Sequence, residues 1–185
     1  MRLKNCIDII AGYPSGKFSD EPDECAYSVV SASNLMDNNL YIMTNELNKV
    51  YSTYSLKELE PSDILLTNRN RILSAVVPKQ EFHKLIAKDF ISIIRITKYF
   101  KDDILPEYLA IQLRSDKIRR EMLKNSTTSV RSIVIPNSAV LNIEIDFPNI
   151  KKQQEIVICY NKINRIKQNY AHKIELLTGL QKGIS

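Results

Sequence analysis

The feature that most constrains the fold is a long proline-free run, residues 151–185, whose only glycines are Gly179 and Gly183. Apolar side chains recur in this run at steps of three and four residues. With Ile156 at heptad position a, the apolar a and d positions include Ile156, Cys159, Ile163, Ile166, Tyr170, Leu177 and Leu180. Such a seam is typical of helices that pair in a coiled coil.

A helix of about 30 residues is about 45 Å long, which is no shorter than a domain of about 150 residues. We therefore predict that this helix projects from its domain and pairs with a helix of another chain. The alternative is an amphipathic helix that lies on its own domain. Lys173 at a d position and the two late glycines favour that alternative.

Composition indicates a globular chain, with 44% hydrophobic and 25% charged residues. No run of about 18 apolar residues predicts a membrane span. The amino terminus has Asp8 inside its apolar run, so a secretory signal is not expected. Cys6, Cys25 and Cys159 are odd in number and widely spaced, which predicts neither a disulfide framework nor a zinc site and suits a reducing cytoplasm.

The remainder of the chain reads as short β-prone segments punctuated by Gly, Pro, Asn and Asp. Strands are predicted at Leu40–Met43 and Val140–Ile145, among others, and a helical hairpin near residues 102–124. The predicted fold class is α+β: a curled or barrel-like, mostly antiparallel β domain with one helical hairpin, followed by one long C-terminal coiled-coil helix. The predicted boundary separates a domain of residues 1–148 from a helix of residues 149–185.

The net charge of +5 is unevenly distributed along the chain. Residues 1–61 carry −4, residues 62–131 carry +6 and residues 132–185 carry +3. A polyanion would be attracted first to the middle and the tail. A solvated basic surface explains the same charges equally well.

Motifs for catalysis are missing from the sequence. None of its four glycines forms a phosphate-binding loop or a dinucleotide fingerprint. Its two histidines, His83 and His172, are far apart in sequence. We therefore expect a binding protein with no catalytic residues, no cofactor and no metal.

Five stretches of the chain occur in a recognisable order: CIDIIAGYPSGKF, LEPSDILLTNRN, DDILPEYLAIQLRSDKIRREM, VLNIEIDFPNIKKQQEIV and ELLTGLQKGI. Together they resemble one target-recognition half of a type I restriction-modification specificity subunit, over nearly the whole chain. Asp63 matches the aspartate of a strand motif of that family, and Ser62 and Asn70 stand where the family has glycine.

The resemblance implies a non-catalytic DNA-recognition subunit of half size, because family members hold two recognition domains and two helices in one chain. Two copies would pair antiparallel through their C-terminal helices, as a homodimer, and fix the separation of two DNA-reading domains. The implied partners are double-stranded DNA, an adenine methyltransferase (M) subunit and a restriction (R) subunit.

Three loops are candidates for reading DNA. The first is residues 67–71, where Asn68, Arg69, Asn70 and Arg71 offer groups suited to adenine and guanine. The second is residues 125–131, with Ser126, Thr127, Thr128 and Arg131, and the third contains Lys17. Arg119 and Arg120 are candidates for phosphate contacts. Each of these side chains is also explained as an ordinary surface residue.

Two other function classes stay open at this stage. The first is a protein-interaction adaptor with an oligomerising helix, in which the basic surface is incidental. The second is a small enzyme with a dispersed active site, which the missing motifs disfavour. Binding to duplex DNA at low and moderate salt separates the first of these from a DNA-recognition subunit.

Overall fold

The computed structural model describes residues 1–19, 25–37, 39–44, 47–52, 54–70, 72–79, 84–128 and 132–182. The strands in these ranges are β1 Ile7–Ala11, β2 Cys25–Val30, β3 Asn48–Ser52, β4 Ile64–Thr67, β5 Ser74–Val76, β6 Leu85–Ala87, β7 Ile91–Ile96, β8 Thr127–Thr128 and β9 Ile133–Val134. The α-helices are α1 Pro106–Arg114, α2 Asp116–Lys124, α3 Asn137–Leu141 and α4 Ile150–Lys182.

A four-stranded antiparallel sheet, in the order β1-β7-β4-β5, lies at the centre of the domain. Its middle strands are buried at nearly every position, as expected of strands that are covered on both faces. On one face Ile64, Leu66 and Ile94 join the cluster that contains the buried side chains of α1, α2 and α3. On the other face Leu65 and Ile93 join the cluster that includes β2 and β6.

The second sheet has the order β3-β2-β6 and covers that other face. β2 pairs with β3 antiparallel and with β6 parallel. A third, two-stranded sheet consists of the β8–β9 hairpin. The domain is therefore layered, with helices, a four-stranded sheet and a three-stranded sheet in succession.

Helices α1 and α2 are separated by a single residue, Ser115. Pro106 stands at the first position of α1, where its missing N–H costs nothing. The Ser115 hydroxyl accepts a hydrogen bond from the backbone N of Ile118 (3.4 Å), which caps α2. Both helices bury their apolar faces in the core through Leu109 and Met122, among others.

The α+β class, the mostly antiparallel pairing and the long C-terminal helix are confirmed. The described strands form three separate sheets and none of these closes on itself, so the curled or barrel-like sheet is not confirmed. The strand predicted at Val140–Ile145 is wrong, because α3 occupies its first part. Ala139, Val140 and Ile143 are buried at helical spacing, but the β-branched side chains of Val140 and Ile143 had favoured a strand. Leu40–Met43 contributes only an isolated bridge between Tyr41 and Val76.

Within the described ranges, no helix is long and apolar enough to cross a membrane. The same part of the chain contains no group of three or more His, Cys, Asp or Glu side chains arranged to hold a metal ion.

Candidate nucleic-acid interface

Three loops meet at one end of the four-stranded sheet, which we name the loop end: residues 12–17, 68–70 and 88–90. The antiparallel register brings them together, because β1 and β4 finish where β7 begins. Backbone hydrogen bonds join the loops, from Gly12 N to Ile91 O (2.9 Å), Asp89 N to Tyr13 O (2.8 Å) and Asn68 N to Phe90 O (3.0 Å).

Gly12 is required by this close approach. A Cβ at this position would lie 2.1 Å from the backbone oxygen of Lys88, which no side chain tolerates. The glycine that ends β1 therefore lets the first loop lie directly against the turn between β6 and β7.

The β8–β9 hairpin is attached to the same loop end. The Asn70 backbone N donates to Ile133 O (2.9 Å), and the Ile133 N donates to the Asn70 side-chain Oδ1 (3.1 Å). The Ile135 N donates to Asn68 O (2.8 Å). Asn70 of the first candidate loop is thus bonded to β9, and β9 pairs with Thr127 and Thr128 of the second candidate loop.

Asn68 and Asn70 hold this surface together. The Asn68 side-chain Nδ2 donates to the Ser92 hydroxyl (3.1 Å), which donates to Asn137 Oδ1 (2.8 Å). The Asn68 Oδ1 is buried without a hydrogen-bond partner in the described part of the chain. Asn70 adopts a positive φ of 60°, a conformation that asparagine tolerates better than most residues. Both amides face the protein in this structure.

Arg69 is exposed between these two asparagines. Its guanidinium carbon lies 4.4 Å from the centroid of the Phe90 ring, within the range of a cation–π contact. Phe90 was not among the residues predicted from the sequence to contact DNA. The sequence did contain a signal for Phe90: an aromatic residue in a turn between two apolar strands, with no glycine or asparagine beside it.

The other predicted residues are placed as follows. Thr127 and Thr128 form β8, and the Ser126 hydroxyl donates to Leu123 O (2.8 Å) at the end of α2. Lys17 is exposed on a short 3₁₀ turn, with its ammonium 5.2 Å from the centroid of the Tyr54 ring. Arg71 and Arg131 lie outside the described residues.

Helix α2 brings further basic groups close to this surface. Arg119 lines a cleft together with Ile72 and Leu73, which follow the first candidate loop. Arg120 donates from Nε to the backbone oxygen of Asp116 (3.1 Å) and is exposed.

The opposite end of the same sheet, which we name the ion-pair end, is built differently. Arg95 on β7 donates from Nε and Nη2 to the two carboxylate oxygens of Asp63 (2.7 and 2.6 Å). It also donates to Glu60 (2.5 Å). The hydrogen bonds to Asp63 raise the pKa of Arg95, with partial burial acting against them. The aspartate matched to the family motif is thus a structural residue.

Tyr41 lies beside the ion-pair end, and its hydroxyl donates to Glu107 on α1 (2.9 Å). Burial raises the pKa of Tyr41 to about 12, with the hydrogen bond to Glu107 and that carboxylate's charge as further causes. The neutral phenol therefore fixes the start of α1 near Asp63 and Arg95, since Glu107 and both of these residues line one cleft.

The first turns of α4 pack on the domain. Gln153 is fully buried, and its amide donates to the backbone oxygens of Asp103 and Pro148 (both 2.7 Å) and accepts from Leu105 N (2.9 Å). Further along, Ile156, Val157 and Tyr160 pack against the core. The Tyr160 hydroxyl also accepts from Arg114 (3.1 Å).

The later turns of α4 carry an exposed apolar stripe, which consists of Cys159, Ile163, Ile166, Tyr170, Ile174 and Leu177. At about 100° per residue, this stripe is rotated by about a quarter turn from the face that holds Gln153 and Tyr160. Ile156 of the predicted seam instead packs on the domain, and the side chain of Leu180 lies outside the described residues. Ile174 was missed because it follows Tyr170 by four residues and leaves the strict heptad.

Neither a protein-family profile nor a curated protein sequence matches this chain. Solved structures do match it. One is a chain of the type I R-M system, from work on complex assembly and conformational transition, with a TM-score of 0.67 and 18% identity over 100% of this chain. Another is the HsdS subunit of Thermoanaerobacter tengcongensis, with a TM-score of 0.61 and 18% identity over 94% of this chain.

A third is the S subunit of a type I restriction-modification system from M. genitalium, with a TM-score of 0.56 and 13% identity over 98% of this chain. The chain spans 43%, 38% and 43% of these three proteins, respectively. The resemblance seen in the sequence is confirmed for the fold along the whole chain: this protein has the fold of type I restriction-modification specificity subunits.

Proposed function

We propose that this chain is a DNA sequence-recognition subunit of a type I restriction-modification complex. It binds double-stranded DNA through the loop end, and methylation and cleavage reside in partner M and R subunits. Two copies pair through α4 and supply the two recognition domains. The shared fold supports this proposal.

The observation that carries the proposal is the convergence at the loop end. Residues 67–71 and 125–131 were each candidates from their side chains alone. Hydrogen bonds join Asn70 to Ile133 on β9, and β9 pairs with Thr127 and Thr128 of the second candidate loop. The surface presents Arg69 on loops that are anchored to buried strands. A rigid scaffold that presents a guanidinium on adjoining loops is suited to reading base edges in a groove.

The proposed pairing is supported by the exposed stripe on α4. Five large apolar side chains, Ile163, Ile166, Tyr170, Ile174 and Leu177, are exposed along successive turns. A helix of 33 residues is about 50 Å long. Because the docked face and the stripe point in different directions, a second helix can cover the stripe while the first turns stay on the domain. Antiparallel pairing would then place the two loop ends far apart on one duplex.

Duplex binding is the direct test. The full chain is titrated into a pool of random-sequence duplexes at low and at moderate salt, in an electrophoretic shift assay. We expect a complex whose affinity falls steeply as salt rises, because phosphate contacts release counterions. No complex at low salt would overturn the proposal.

Pairing is tested by two matched substitutions. Ile166→Glu places a charge on the stripe, whereas Ile158→Glu places it on a helix face that belongs to neither the stripe nor the docked turns. Both isoleucines are 55% exposed, so the two changes are equally tolerated by the monomer. Sedimentation equilibrium is expected to give a dimer for Ile158→Glu and a monomer for Ile166→Glu. A monomeric wild-type chain would exclude this pairing.

The orientation of the pair has its own readout in Cys159. In a parallel, in-register pair the two Cys159 thiols would face each other at d positions. In a Cys25→Ser background, which removes the other exposed thiol, oxidation is expected to leave antiparallel dimers uncrosslinked. Rapid formation of a disulfide-linked dimer would show parallel helices.

The second candidate function is a protein-interaction adaptor, which the same apolar stripe favours. An adaptor uses α4 but has no need of the loop end. It predicts that charge substitution on the stripe abolishes association while duplex DNA leaves the chain unaffected.

A further inference from the structure

Phe90 has a backbone conformation that its side chain does not favour. Its φ is 62°, in the left-handed region where glycine and asparagine are common and bulky residues are rare. This conformation lets the Phe90 carbonyl accept the hydrogen bond from Asn68 N (3.0 Å). A glycine or an asparagine would make the same backbone bond with less strain, so the bond does not account for the phenylalanine.

Phe90 is not a core residue, since it is 44% exposed and belongs to none of the three buried clusters of the described residues. The chain enters the core immediately afterwards, at Ile91. The ring contacts the Arg69 guanidinium on the neighbouring loop, whose carbon lies 4.4 Å from the ring centroid. The strained, partly exposed Phe90 thus stacks against Arg69, and arginine is the residue type best suited to bind guanine.

We propose that Phe90 is a specificity-determining residue, which positions Arg69 for contact with a guanine in the major groove. Arginine reads guanine by two parallel hydrogen bonds, which require the guanidinium to be held in one orientation. A free arginine side chain loses conformational entropy when it is ordered, and stacking on a ring orders it beforehand. The inference rests on the proposed DNA recognition and names the pair of residues that reads one base.

The test is selection of preferred sequences from a random duplex pool, with four versions of the full chain: wild type, Arg69→Ala, Phe90→Asn and Phe90→Tyr. Phe90→Asn removes the ring but is compatible with a φ of 62°, and Phe90→Tyr keeps the ring. We expect wild type and Phe90→Tyr to prefer the same sequence. Arg69→Ala and Phe90→Asn should each reduce the preference for the same single guanine, by about tenfold.

Thermal unfolding of Phe90→Asn serves as the folding check, and Phe90→Gly replaces it if the asparagine variant is unfolded. If the variant without the ring keeps the preference that Arg69→Ala loses, the inference is wrong while the proposed function stands. Loss of preference at a different base also overturns it. If the wild-type chain binds no duplex at all, the proposed function fails, and the inference fails with it.

Discussion

At the ion-pair end of the four-stranded sheet, Arg95 lies between two carboxylates, whereas at the loop end Arg69 lies over the Phe90 ring. The side chain of Arg95 is 16% exposed and that of Asp63 is 1% exposed, so this pair is withdrawn from water. Arg69 is exposed. The comparison shows that one residue type is bound within the fold at one end and is exposed at the other. Substitution of the carboxylates that pair with Arg95 should change stability, and substitution of Arg69 should change binding.

The largest effect is expected from Asp63→Asn at the ion-pair end. This change removes the carboxylate that chelates Arg95 and leaves a poorly compensated, largely buried guanidinium. The free energy of unfolding should fall by about 3 kcal/mol. Urea denaturation measures it. Glu60→Gln is the control, because its side chain is 53% exposed and its pair with Arg95 is worth below about 1 kcal/mol. Equal losses in the two variants would contradict the assignment of Asp63 as the buried partner.

A second large effect is expected from Gln153→Glu, which tests whether the buried amide of Gln153 stabilises the docking of α4 on the domain. The new carboxylate would face the backbone oxygens of Asp103 and Pro148, to which the amide now donates. Destabilisation of about 2 kcal/mol is expected at neutral pH. The folded state raises the pKa of this carboxyl, so the loss should diminish as pH falls and the group is protonated.

Gln154→Glu is the matched control for that substitution, because Gln154 is exposed on the next position of the same helix. It should change the free energy of unfolding by less than about 0.5 kcal/mol. A pH-independent loss at position 153 would show that packing, and not the charge, is responsible.

At the loop end, Arg69→Ala should weaken duplex binding by about tenfold while leaving the free energy of unfolding within about 0.5 kcal/mol of wild type. Fluorescence anisotropy with labelled duplex measures the first quantity and urea denaturation the second. Arg165→Ala, on the exposed part of α4, removes the same charge far from the loops and should weaken binding less. A large loss of stability in Arg69→Ala would show that Arg69 stabilises the fold, as Arg95 does, and would contradict the proposed difference between the two ends.

The smallest effect is expected at Ser62, which adopts a positive φ of 74° next to Asp63. Ser62→Gly relieves this strain and should stabilise the chain by up to about 1 kcal/mol. Asn70→Gly is the informative comparison at the loop end. Glycine also fits the φ of 60° there, but the change removes the Asn70 side-chain bond to Ile133 and should destabilise by about 1 kcal/mol. A gain in stability at both positions would show that the Asn70 side-chain bond contributes nothing.

The backbone at these two positions also agrees with what the resemblance predicted. The resemblance expected glycine at Ser62 and at Asn70, and both residues have the left-handed backbone that glycine favours. The helical content of residues 150–182 also followed from the sequence, because an apolar period of three and four residues is a local property. The strand expected at 140–145 failed for the opposite reason. Val140 is β-branched, but its packing against the core within α3 overrode that local propensity.

The sequence by itself determined the α+β class, the long α4 and the residue types available for contact with DNA, since these depend on local spacing and charge. The tertiary structure alone decided which arginine is chelated and which is presented. Asp63 and Arg95 are 32 residues apart and become neighbours through the register of β4 and β7. Asn70 and Ile133 are 63 residues apart and meet where the β8–β9 hairpin contacts the loop end. The tertiary structure also decided which turns of α4 dock on the domain. The apolar period is the same before and after Tyr160, and the docked turns differ from the later ones in their contact with the domain, including α1.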